Sequence, residues 1–196
     1  MSRRIQQSKT RPQKRARFER KGLRELTTAA IFAALLCLVC PWSIPIGAVP
    51  ISLALFVLMV MANLLSLRLS LAATLVYLVL GCIGLPVFSG FGAGIGVLMG
   101  PTGGFLIAYL PFVCLICCSA KTKKRSVQLL LIAAALILCY VIGAAWYMLV
   151  TDTESIATAL AVCVLPFLLP DAAKVVLGVA ISRSIRSYFE KIRQHA

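Results

Sequence analysis

The sequence predicts an all-α integral membrane protein: six transmembrane helices with a Gly-rich outer loop between helices 3 and 4. Two observations carry the prediction. The chain of 196 residues is 61% hydrophobic and 13% charged, and its mean hydropathy of +0.97 is too high for a water-soluble domain of that length. Its apolar residues also fall into six runs, about 25–43, 50–67, 69–85, 101–119, 127–150 and 157–182, each near the roughly 20 residues that cross a hydrocarbon core. Helices suit that solvent because each satisfies its own backbone N–H and C=O groups.

In chain order, residues 1–24 read as a basic cytoplasmic tail, 25–190 as the six-helix membrane domain and 191–196 as a cytoplasmic C-terminal end. The tail holds ten of the twenty Lys and Arg. Such a charge cluster could bind nucleic acid phosphates; ahead of a membrane helix it reads instead as a tail lying near anionic headgroups, with no nucleic acid partner. The first apolar run has the length of a secretory signal core, but the Pro-interrupted "CPWSIPIGAVP" follows it in place of a small-residue cleavage site, so it is read as retained.

Charge placement sets the orientation. Four cations lie in "KTKKR" (121–125), four more are Arg183, Arg186, Lys191 and Arg193, and Arg68 falls between runs 2 and 3. With both termini cytoplasmic in the cell membrane, six crossings put all of these inside, as the positive-inside bias requires. The loops left outside carry no Lys or Arg, and "TDTE" (151–154) adds two acids there.

Catalytic and metal-binding motifs are absent. There is no G-x-x-x-x-G-K-[ST], no H-E-x-x-H and no G-x-S-x-G, and the single His is His195. The reading is therefore not an enzyme, without an ATPase motif, a cofactor or a metal. Cys37 with Cys40 and Cys114 with Cys117 have C-x-x-C spacing, but in apolar helices lacking His they read as small hydrophobes.

Two features remain that a bundle alone does not need. Asp171 and Lys174, in "LPDAAKVVLG", share a helix face inside the last run; either one alone would cost about 2.5 to 3.5 kcal/mol at mid-bilayer on insertion scales. Pro170 suits a first helical position, which predicts a helix from 170 to about 190 with Asp171 in its first turn. The pair is either a structural bridge or a ligand site open to the outside. The second feature is residues 81–105, with nine of the thirteen glycines. Glycines allow positive φ and close approach of backbone to a ligand; the competing reading is close helix packing, since Gly92, Gly96, Gly100 and Gly104 recur every four residues.

The stretch "GLPVFSGFGAGIGVLMGPTGGFLIAY", followed by "LPFLLPDAAK", resembles the BioY family, the biotin-specific substrate-capture (S) components of energy-coupling factor (ECF) transporters. The resemblance covers about residues 25–190. It implies high-affinity capture of biotin from outside and inward delivery, with a transmembrane T protein and two ATPase subunits as partners. Asp171 and Lys174 match the family's D-x-x-K. Biotin offers ureido N–H donors for a carboxylate and a valerate carboxylate for an ammonium, and spacing does not decide which end meets which. Ser89, Gly90, Gly92 and Gly94 would lie beside the vitamin; Phe88, Phe91, Tyr109, Tyr140 and Trp146 would cover its apolar parts. Ala54 stands where the family pattern has Gln, and Leu169–Pro170 where it has Pro-Gly. In helix 1, Ala29 with Ala33 and Ala30 with Ala34 give A-x-x-x-A spacing, which lets another helix approach closely in lipid; by resemblance this is the T-protein docking face. Two other readings fit the residues: a transport subunit for another small vitamin or carboxylate, and a membrane assembly protein without cargo.

Overall fold

The computed structural model describes residues 22–194 apart from 46, 48 and 123. The leader through Lys21 and the end from His195 lie outside the described residues, as does most of the predicted cytoplasmic tail. The described chain is mostly helical, and four helices are long and apolar enough to cross a membrane.

Helix α1, Gly22–Val39, is the first of these. It stops where "CPWSIP" begins, because prolines remove backbone donors and fix φ. The connection folds into a small antiparallel hairpin, β1 (Ser43–Ile44) paired with β2 (Ile51–Ser52) in the register Ser43↔Ser52 and Ile44↔Ile51. The hairpin amends the all-α prediction. It also consumes the start of the second apolar run, so α2 (Ala54–Leu64) has only 11 residues and a length of about 17 Å. Leu65 and Ser66 are extended and turn the chain into α3, Leu67–Cys82, 16 residues long. Two of the six predicted spans are thus shorter apolar helices.

Residues 83–102 contain no long helix: a 3₁₀ turn at Ser89–Phe91, then α4, Ile95–Met99. Gly90 and Gly94 have φ of 69° and 85°, and Phe91 itself has φ of 59°. These angles exclude the continuous helix that a glycine every fourth residue could have formed. Helix packing nevertheless explains one of the four. A Cβ at Gly104 would overlap Trp146 and lie 2.9 Å from the Ile142 carbonyl oxygen, so α5 (Gly103–Lys121) and α6 (Arg125–Thr151) touch backbone to side chain there. Gly143 on α6 repeats the device against the Phe105 ring.

Asp152 in the left-handed region ends α6, and Ser155 starts α7 (Ile156–Cys163) by accepting the Thr158 N–H at 3.3 Å. The chain breaks at Val164, and α8 runs from Leu165 to Gln194. The predicted start at Pro170 is therefore wrong. Pro166 is the proline near the helix start, where a missing N–H costs nothing; Pro170 lies inside α8 and deprives the Pro166 carbonyl of its usual partner. Asp171 accordingly sits in the second turn.

The ends of the bundle differ in charge. Gly90 N–H donates to the Pro41 carbonyl, which places the C-terminal end of α1 beside the α3–α5 connection. Arg186 on α8 donates to the Asn63 carbonyl at the end of α2, and Arg183 to Gln128 near the start of α6. Among the described residues, Arg24, Arg68, Lys121, Lys124, Arg125, Arg183, Arg186 and Lys191 all lie toward this second end. Asp152 and Glu154 lie at the hairpin end. The central core joins Leu36, Leu58, Met61, Phe112, Val113 and Ile116, all buried. Ala29 and Ala33 belong to it, so half of the predicted docking quartet is occupied within the chain; Ala30 and Ala34 face outward. Large apolar side chains such as Leu169 (85% exposed) and Leu149 (75%) cover the outside, as expected where the surrounding medium is hydrocarbon.

Candidate functional site

The buried charges lie at the hairpin end of α8. Asp171 is 1% exposed and Lys174 is 8% exposed. One helical turn apart on the same face, they meet directly: Lys174 Nζ donates to Asp171 Oδ1 at 2.7 Å. The second carboxylate oxygen, Oδ2, accepts the Tyr140 hydroxyl at 2.9 Å. Both oxygens of the carboxylate are thus engaged, one by a cation and one by a neutral donor, which is what makes an anion tolerable out of water.

These three residues border a pocket of about 560 Å³ that includes its open mouth. Five parts of the chain complete it. The hairpin contributes Val49, Pro50 and Ser52, and α2 contributes Leu55. The Gly-rich segment contributes Phe88, Ser89, Val97 and Thr102. Phe105, Leu106 and Tyr109 come from α5, and Phe167 from α8. Phe105 and Phe167 stack with ring centroids 6.0 Å apart and join α5 to α8. Phe88 is held from below by Tyr77, edge-on at 5.6 Å, and its ring lies over Gly81, where a Cβ would overlap it. The result is an apolar, aromatic chamber with one ion pair at its wall. Such a site takes a small molecule that is mostly apolar but ends in hydrogen-bonding groups.

Six of the eleven predicted pocket residues line this chamber: Phe88, Ser89, Tyr109, Tyr140, Asp171 and Lys174. Gly90, Phe91, Gly92, Gly94 and Trp146 do not, and each has another role. Gly90 bonds to Pro41, and Gly94 N–H donates to the Gly81 carbonyl at 2.7 Å, so the segment is tied to α1 and to α3. Gly92 returns its carbonyl to Phe88 N–H at 3.1 Å and closes the 3₁₀ turn. Phe91 is 55% exposed and meets Trp42 edge-on at 5.5 Å. Trp146 packs on Gly104 and donates Nε1–H to the Gly100 carbonyl at 3.1 Å.

Sequence reasoning missed the hairpin residues, the stacked rings of Phe105 and Phe167, and the smaller lining residues Leu55, Val97, Thr102 and Leu106. Nothing local marks Val49, Pro50 or Ser52. Phe167 could have been found, since it precedes Asp171 by four residues and so shares its helix face. Among the described residues no group of three or more His, Cys, Asp or Glu could hold a metal ion.

The sequence profile described as the BioY family matches residues 7–191. The chain belongs to the BioY family. Its curated BioY relatives include the biotin transporter BioY2 of Lactococcus lactis subsp. cremoris, 36% identical over 169 residues, covering 83% of this chain and 92% of that one. Another BioY relative is the biotin transporter BioY of Thermotoga maritima, 33% identical over 165 residues, covering 84% and 96%. Among solved structures, this BioY chain is similar to that of an S component for biotin from an ECF-type ABC transporter. The TM-score is 0.78 at 28% identity, over 86% of this chain and 93% of the other. The multi-pass, mostly helical membrane fold is common to both.

Proposed function

We propose that this chain takes up biotin as the membrane-embedded, biotin-binding S component of an ECF transporter, and that the chamber at the hairpin end is its biotin site. The observation that carries the assignment is the wall of that chamber: a buried Asp171–Lys174 pair, one side chain able to accept N–H bonds and the other able to hold a carboxylate, in otherwise apolar surroundings. Biotin suits such a wall through one of its ends: either its ureido group or its carboxylate can meet the pair, while its apolar ring and chain fill the rest of the chamber. The names carried by its relatives point the same way.

The rest of the reading follows from this role. In this reading the chain crosses six times, counting the two shorter helices, with the basic end and both termini in the cytoplasm and the chamber open to the outside. Partner subunits hydrolyse ATP, and a transmembrane T protein docks against the outward small residues of α1, Ala30 and Ala34. Binding of labelled biotin to purified protein, competed by a panel of unlabelled vitamins, tests the assignment. Only biotin is expected to compete. Displacement by another vitamin at equal or lower concentration would transfer the site to that ligand, and no saturable binding would remove the transport reading.

A further inference from the structure

A second pocket, an open groove of about 670 Å³ that includes the solvent at its mouth, lies between α6 and α8 toward the basic end. Its rim is polar: Arg125 and Gln128 from one face of α6, and Arg183 from α8, whose Nη2 donates to Gln128 Oε1 at 3.3 Å. Below the rim the walls are aliphatic, with Leu129 and Ile132 opposite Val176 and Val179. No carboxylate lines it. From Arg183 to Val176 the wall descends about 10 Å along the helix axis. Two guanidinium groups at the mouth of an aliphatic slot match one ligand chemistry: a phosphodiester attached to an acyl chain.

We propose that this groove binds an anionic glycerophospholipid, with its phosphate between Arg125 and Arg183 and the upper part of one acyl chain along Val176 and Val179. Guanidinium groups pair with phosphate oxygens through directed, charge-assisted hydrogen bonds, and basic pockets between helices on the cytoplasmic side are suited to anionic headgroups. A zwitterionic lipid brings a cation toward two others and binds more weakly. The aliphatic walls give free phosphate nothing to hold.

Native mass spectrometry of the detergent-purified full chain, titrated with phosphatidylglycerol or phosphatidylcholine, reads the bound lipid directly. Phosphatidylglycerol adducts should exceed phosphatidylcholine adducts by about fivefold or more. The R125Q/R183Q double variant should lose that preference with an unchanged melting temperature, and R125K/R183K should keep most of it. If the double Gln variant does not fold, A180W supplies the second test: Ala180 lines the slot, and filling it should reduce phosphatidylglycerol adducts with the charges intact. Equal binding of the two lipids, or an undiminished preference in both R125Q/R183Q and A180W, would overturn the proposal. Displacement of the lipid by inorganic phosphate would overturn it in favour of a free-anion site. Unchanged adducts in R125Q/R183Q together with loss of copurifying transporter subunits would overturn it in favour of a protein-docking face.

Discussion

The Asp171 carboxylate has no capacity to lose a partner without consequence. Lys174 and Tyr140 take one oxygen each, and breaking a buried ion pair by removing one partner costs about 3 to 5 kcal/mol where the other charge is left stranded. Asp171→Asn and Lys174→Met are each expected to weaken biotin binding at least thirtyfold, about 2 kcal/mol, read as the Kd for labelled biotin. The double variant removes the stranded charge and should regain melting temperature without regaining affinity; wild-type binding by the double variant would reduce the pair to a structural bridge. Tyr140→Phe keeps the ring and loses only the donor to Oδ2. It is expected to weaken binding about tenfold, the worth of one hydrogen bond to a charged group, with folding intact. At this scale the sequence was partly readable. The i, i+3 spacing put Asp171 and Lys174 together, but nothing in it tied Tyr140 to the carboxylate, because that contact spans 31 residues and depends on how α6 lies against α8.

Among the elements, the glycines of residues 81–105 divide by what surrounds them. Gly104 has Trp146 against it, whereas Gly96 has nothing within 4 Å. Gly104→Ala must push α5 from α6 and is expected to destabilise by about 1 to 3 kcal/mol, as overpacking does, seen as a lower melting temperature in detergent. Gly96→Ala fits the space and should leave the melting temperature unchanged or slightly raised. Identical effects of the two would mean that the α5–α6 contact is not as described. Gly94 adds a third kind of constraint: its φ of 85° strains any other residue, so Gly94→Ala is expected to cost about 1 kcal/mol through the backbone. Composition alone located this segment but could not sort its members, since a four-residue recurrence is compatible with both a helix and a folded loop. Helix ends were legible only in part for a similar reason. Pro166 and Pro170 lie four residues apart, each can open a helix, and the break at Val164 selects the first.

The whole molecule is ordered by its two ends. Every described Lys and Arg except Lys174 lies toward one of them, which the sequence announced through the positive-inside pattern. In a background with the eight native cysteines replaced, a Cys at Glu154 is expected to react with a membrane-impermeant maleimide in intact cells. One at Lys124 should react only after lysis. The reverse pattern would invert the orientation. The outer face of α1 carries a further expectation. Ala30→Trp should reduce copurification with a T protein while sparing biotin binding, because Ala30 points away from the core; Ala33→Trp should instead damage the fold, since Ala33 is 6% exposed within the central cluster. The unequal lengths of the helices were the least legible property at this scale. The hairpin takes its residues from an apolar run whose composition reads as helix, and only pairing between Ser43–Ile44 and Ile51–Ser52 reveals it.

The chain has two tryptophans, and each touches the Gly-rich segment: Trp42 against the Phe91 ring, Trp146 through its indole N–H on the Gly100 carbonyl. Indole emission depends on polarity and on hydrogen bonding at nitrogen, so the protein carries an optical gauge at both ends of this segment without any attached dye. A ligand that shifts residues 89–100 would alter the environment of both indoles. Replacing Trp42 or Trp146 by Phe would separate their signals, so that any ligand-linked movement of this segment could be timed by stopped-flow in unlabelled protein.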